Sequence, residues 1–159
     1  MKGAPTSLSL RPAEPGDAEA LSRIAFAAKA HWGYPERWME SWREGLTIAP
    51  GFVEGNEVYA AFAEGEASGF YALVGEGPRI VLEHLWVLPE RMGLGLGRAL
   101  FGHALERAAA LGAETLGIEA DPNAEGFYRR MGARRVGEIS YELDGRKRVL
   151  PLLAMDLRT

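Results

Sequence analysis

Between Pro89 and Arg98 the chain reads Pro-Glu-Arg-Met-Gly-Leu-Gly-Leu-Gly-Arg. Glycines at 93, 95 and 97 leave backbone N–H groups uncovered by side chains, and the residues after them have helical periodicity. A helix N-terminus carries about half a positive charge, so uncovered amides at that point form a cradle for phosphate. The Walker pattern needs Gly-Lys-Ser/Thr at the helix start; Gly97 is followed by Arg98-Ala99, which excludes it. A dinucleotide fingerprint needs G-x-G-x-x-G, and the spacing is G-x-G-x-G. Only Glu119, near the distance at which such folds place a ribose-binding acid, keeps a nucleotide-binding oxidoreductase open as an alternative.

A second chemical signal is Glu83, one carboxylate in the run Ile80-Val81-Leu82-Glu83-His84-Leu85-Trp86-Val87. Strict alternation puts it on the face of Leu85 and Val87. Apolar surroundings favour the neutral form of a carboxylate, which suits a general base. His84 and Glu119 are the alternatives. His31 and His103 read as a helix-end and a surface residue, and three scattered His make no metal site, so no metal is expected. With no Cys, thiolate nucleophiles and disulfides are excluded.

The elements that must hold these residues follow from periodicity. Ser7 to Arg11 alternates as a strand ending at Pro12, and Pro15-Gly16-Asp17 opens a helix with Ala18, Leu21, Ile24, Ala25 and Ala28 on one face. Gly33-Tyr34-Pro35 breaks it, and Glu36 to Glu44 forms a short second helix bearing Trp38 and Trp42. Glu57 to Ala63 and Ala67 to Val74 form a hairpin about Glu64-Gly65-Glu66. Arg79 to Leu88, almost continuously apolar, is expected to be a central strand buried on both faces. Leu96 to Leu111 is an amphipathic helix closed by Gly112, and it leads to a strand over Thr115 to Ala120. That strand-helix-strand unit makes its two strands parallel. Asp121-Pro122 caps a helix running to Met131, and Arg134 to Leu143 with Arg148 to Leu157 close a hairpin at Asp144-Gly145.

The 159 residues suit one domain over 1–159, and the chain has 47% apolar and 25% charged residues. A net charge of −4 argues against a nucleic-acid surface. No stretch reaches the ~20 apolar residues of a membrane span, and Met1 to Leu10 lacks a signal-peptide core, so a cytoplasmic location is expected.

The glycine loop resembles the signature of the GNAT superfamily of acyl-CoA-dependent N-acetyltransferases, Gln/Arg-x-x-Gly-x-Gly/Ala after a strand, with Gly95 and Gly97 at its glycine positions. Asn123-Ala-Glu-Gly-Phe127-Tyr128-Arg-Arg-Met-Gly132 resembles a second block of that family, and the order of elements agrees over nearly all of the chain. Two positions depart: Met92 stands at the Gln/Arg position, with Arg91 one residue earlier, and Asp121 stands where many relatives have Asn.

The resemblance implies an α/β fold: a mixed, mostly antiparallel sheet with helices on both faces, splayed at a central parallel strand pair to admit acetyl-CoA. It implies acetyl transfer to a primary amine by direct attack. Leu85, Trp86 and Val87 would line the pantetheine arm, and one backbone N–H there would polarise the thioester carbonyl. Gly93, Leu94, Gly95, Leu96, Gly97 and Arg98 would hold the pyrophosphate, and Asn123 would contact the donor. Tyr128 would be the general acid that protonates the departing thiolate, because a phenol of pKa about 10 keeps its proton at neutral pH. Glu83 would take the amine's proton, directly or through water. The acceptor would meet Trp32, Tyr34 and Glu36, where aromatics and an acid can hold a cation. The resemblance allows a homodimer and leaves the acceptor open among polyamines, aminoglycosides, amino acids, protein N-termini and lysine side chains. A non-catalytic acyl-CoA-sensing module is the other alternative.

Overall fold

A computed structural model describes residues 8–158. Ser7, expected to open the first strand, lies outside the described residues. Among the described residues, seven strands form one sheet: β1 (Leu8–Pro12), β2 (Glu57–Ala63), β3 (Glu66–Glu76), β4 (Arg79–Val87), β5 (Thr115–Glu119), β6 (Arg134–Leu143) and β7 (Arg146–Asp156). Their spatial order is β1-β2-β3-β4-β5-β7-β6. Every neighbouring pair is antiparallel except β4 and β5. This is the mixed sheet expected from the family resemblance, and it rules out the parallel, doubly wound sheet that a dinucleotide-binding oxidoreductase requires. Two hairpins turn through residue pairs with positive φ, Glu64-Gly65 and Asp144-Gly145. Such turns match the right-handed twist of the flanking strands.

Helices cover both faces. On one lie α1 (Ala18–Ala30), α2 (Glu36–Leu46) and α3 (Pro50–Gly55); on the other lie α4 (Leu96–Ala110) and α5 (Glu125–Arg130). The short α3 was not expected from the sequence. Leu21, Ile24 and Ala25 of α1 and Met39 of α2 pack on Val58, Ala60, Phe70 and Ala72. Leu100, Phe101 and Ala104 of α4 pack on Tyr71, Leu73, Ile80 and Leu116. Gly69 lets α4 come close: a Cβ there would lie 2.9 Å from the Trp86 carbonyl oxygen and 3.0 Å from Leu100 Cδ1.

β4 corrects two expectations. It is not buried on both faces, since Val81 is 42% exposed and Arg79 and Glu83 are exposed as well. Nor does it alternate strictly. Leu73 pairs with Leu82 and Ala72 with His84, so Glu83 is the extra residue of a bulge. Ile80 and Leu82 pack on the α4 side, and past the bulge Leu85 and Val87 take that side while Trp86 joins the α1 side. Glu83 therefore does not share the buried face of Leu85 and Val87. His103, expected at the surface, is half-buried, with Nδ1 2.7 Å from the hydroxyl of the buried Tyr71.

Candidate active site

β4 and β5 pair only from Arg79–Thr115 to Leu82–Ile118. Beyond that each leans on its antiparallel neighbour: Leu88 N–H donates to Ser68 C=O at 2.8 Å, and Ala120 N–H to Pro151 C=O at 3.0 Å. Among the described residues, the carboxyl-terminal half of β4 thus has no strand partner on its β5 side. A cleft of about 430 Å³ opens there, with Leu85, Trp86 and Val87 along one wall.

At the mouth of the cleft is the glycine loop. Gly93 (φ +86°) and Gly95 (φ +83°) take the left-handed conformation, and nothing lies within 4 Å of a Cβ built on either. A side chain would be strained at both positions and would occupy the open cradle. Gly95 is also the N-cap of α4, so the first amides of that helix open on the same space. Gly93, Gly95, Leu96, Gly97 and Arg98 all line the cleft, whereas the Leu94 side chain is 49% exposed and does not. The loop therefore fits a diphosphate through its backbone. Arg91 also lines it, 3.5 Å from both Glu64 and Glu66.

The far wall is α5 and the turn before it. The Asp121 carboxylate caps that turn by accepting from Asn123 N–H at 2.8 Å. One and a half turns on, Tyr128 lines the cleft while only 7% exposed, and no hydrogen bond joins its hydroxyl to another described residue. Burial, and then the Asp121 charge, raise its pKa above the ordinary phenol value. Its proton is therefore held firmly at neutral pH.

The candidate bases lie outside the cleft lining. Glu83 and Glu119 are both exposed. His84 is half-buried, and burial lowers its pKa to about 4. Trp86 Nε1 donates to His84 Nδ1 at 2.9 Å, so the neutral ring carries its proton on Nε2 and has no free lone pair.

Of the acceptor-side residues, Trp32 lines the cleft at 43% exposure, and Glu36 is exposed at the start of α2, away from it. Tyr34 turns inward: its hydroxyl accepts from Asn123 Nδ2 at 3.0 Å and donates to Asp121 at 2.9 Å. Around it stands a cluster that the sequence did not reveal. Lys29 Nζ donates to Asp121 at 2.5 Å and sits 4.3 Å from the Trp42 ring centre. Arg148 Nη2 donates to Tyr34 Oη at 3.1 Å and to Asp121 at 3.4 Å, with the guanidinium 4.9 Å from the Tyr34 ring centre and 5.1 Å from that of Trp42. Burial would raise the Asp121 pKa, but Lys29, Asn123 N–H and Tyr34 together hold it below the ordinary value. Asp121, which lines the cleft, is the functional candidate that sequence reasoning passed over; its place at the family's Asn position was the available signal.

Among the described residues, no three His, Asp or Glu are grouped to hold a metal ion, and no helix is long and apolar enough to cross a membrane.

No curated protein matches the chain in sequence. Solved structures do. A GCN5-related N-acetyltransferase from Rhodopseudomonas palustris superposes with a TM-score of 0.81 at 23% identity, over 98% of this chain and 99% of that one. The PaiA N-acetyltransferase of Thermoplasma acidophilum, solved with coenzyme A, gives 0.75 at 20% identity over 94% and 99%. The ribosomal-protein-S18-alanine N-acetyltransferase of Escherichia coli gives 0.73 at 19% identity over 96% of each chain. At these identities the likeness establishes the fold. The sequence profile of the acetyltransferase (GNAT) family matches residues 19–133, across the glycine loop and Tyr128. The chain therefore belongs to the GNAT family of acetyltransferases, enzymes whose acyl donor is acetyl-CoA.

Proposed function

We propose that the protein moves the acetyl group of acetyl-CoA to a primary amine by direct attack, with Tyr128 as general acid and Glu83 as a base acting through water. The observation that carries this reading is the gap between β4 and β5, which has a glycine cradle at its mouth and a buried tyrosine on its far wall. When bound, acetyl-CoA supplies the activated thioester. The chain's own part is to bind, orient and move protons.

The amides from Gly93 to Arg98 hold the diphosphate, and the partnerless edge of β4 from Leu85 to Val87 aligns the extended arm and offers backbone N–H groups where negative charge develops. Asn123 lines the same cleft and contacts acetyl-CoA there, held in place by its bonds to Tyr34 and Asp121. Tyr128 keeps its proton in the buried wall until a thiolate needs it. Glu83 stands exposed at the bulge, outside the lining, so it reaches the incoming ammonium only through solvent. Asp121 is a poor base because Lys29 and Arg148 stabilise its charged form.

Calorimetric titration with acetyl-CoA, followed by thiol release over a panel of amines, tests the reading. Saturable binding with amine-dependent thiol release is expected. Binding without release would leave a sensing module, and no binding would overturn the cradle.

A further inference from the structure

Resting on the acetyltransfer reading above, we propose that the acceptor is a small amine carrying a carboxylate, as a free α-amino acid does, and that Arg148 with Lys29 reads that carboxylate. The aromatic cluster beside the cleft has the ingredients of a cation cage, but the chain fills it itself. Lys29 Nζ lies 4.3 Å from the Trp42 ring centre and 5.2 Å from that of Tyr34, and Arg148 packs on both rings as well. A substrate ammonium finds those faces taken.

What the cluster has in surplus is positive charge. Two cations face one carboxylate, Asp121. Arg148 donates through Nη2 to Tyr34 and Asp121, while its buried Nε has no partner among the described residues. Buried donors left unpaired are costly, and a planar carboxylate is the group that matches the guanidinium fork. Lys29 and Arg148 keep 12% and 11% of their side-chain surface accessible. They stand directly behind the cleft wall, because both bind Asp121, which lines it. An acceptor with its amine toward the Tyr128 end can thus set an anion against this surplus. A decarboxylated amine brings a further positive charge and leaves the donors unmatched. Sites built to hydrogen-bond one group discriminate strongly against analogues lacking it.

The test compares matched pairs with acetyl-CoA in excess: phenylalanine with phenethylamine, methionine with 3-(methylthio)propylamine, arginine with agmatine. For at least one pair, kcat/KM for the amino acid should exceed that for its decarboxylated partner by at least about tenfold. The same amino acid should give a saturable binding heat with the CoA-saturated protein. Arg148→Met, which leaves the Lys29–Asp121 pair in place, should collapse the ratio to below about twofold and abolish that heat, with acetyl-CoA affinity retained. Should Arg148→Met fail to fold, Arg148→Lys carries the test, since it keeps the charge and loses the fork, and the ratio should still fall. Equal or faster turnover of the decarboxylated amines, or a ratio that survives both substitutions, overturns the proposal and leaves acetyl transfer standing. Failure to bind acetyl-CoA, or no thiol release with any amine, overturns both.

Discussion

The Lys29 ammonium meets the Asp121 carboxylate at 2.5 Å, joining α1 to the turn that opens α5 across 92 positions of sequence. Both side chains are nearly buried, with 12% and 7% exposed. Asp121→Asn should preserve the cap on Asn123 N–H, since the amide oxygen still accepts, but it leaves Lys29 and Arg148 buried without a counter-charge. Removing one partner of a buried pair costs about 3 kcal/mol or more, so melting should fall by about 10 °C. A thermal melt within a degree or two of the parent would show that the cluster adds no stability.

Tyr128→Phe removes a hydroxyl with no hydrogen-bond partner among the described residues, so the fold should be unaffected. kcat should fall by about a hundredfold, with acetyl-CoA affinity within a factor of two in calorimetry. Because burial raises the pKa of this phenol, no alkaline loss of activity from its ionisation is expected up to about pH 10. An unchanged kcat would remove Tyr128 from the acid role.

Glu83 is exposed, so Glu83→Gln should change stability by no more than about 0.5 kcal/mol. If Glu83 relays the amine's proton, kcat/KM near neutral pH should fall by about tenfold or more, and should recover as pH rises and the free amine becomes abundant. A pH profile that superposes on the parent's would transfer the base role to solvent.

Gly97 has room for a side chain, since a Cβ there makes ordinary contact with Phe127 at 3.6 Å. Gly97→Glu should therefore fold and still weaken acetyl-CoA binding by at least about tenfold, because its carboxylate stands where the helix terminus draws phosphate. Gly95→Glu should do the same and also lose stability, its φ of +83° being unfavourable for any side chain. Calorimetry showing normal binding in Gly97→Glu would refute the cradle.

His84 titrates in the folded protein near pH 4, lowered by burial from its usual 6.5. Below pH 6.5 the unfolded chain takes up a proton that the folded chain refuses. This contribution to stability is complete above that pH and is lost progressively as pH falls toward 4. His84→Gln, which cannot titrate and can still accept from Trp86 Nε1, should flatten the fall in melting temperature over that window. Equal slopes in the two proteins would assign the acid sensitivity elsewhere.

Periodicity and punctuation made most of the fold legible. The apolar stripe of Leu21, Ile24 and Ala25 marks α1, the Glu64-Gly65 and Asp144-Gly145 pairs mark the hairpins, and a helix between two apolar runs dictates the parallel β4–β5 pair. The left-handed turns at Gly93 and Gly95 were equally plain, because they depend on local conformation, which glycine spacing encodes. The rest depended on contacts between distant segments. A bulge is set by how β4 registers on β3, so alternation alone assigned Glu83 to the wrong face. Tyr34 is expected from the resemblance to meet a substrate cation, yet Lys29 and Arg148, supplied by α1 and β7, already pack on its ring. Local sequence determines which way a chain turns and which face of an element is apolar. Only the packed structure decides which charges, far apart along the chain, are buried together, because their desolvation must be met by partners that the tertiary fold alone brings within reach.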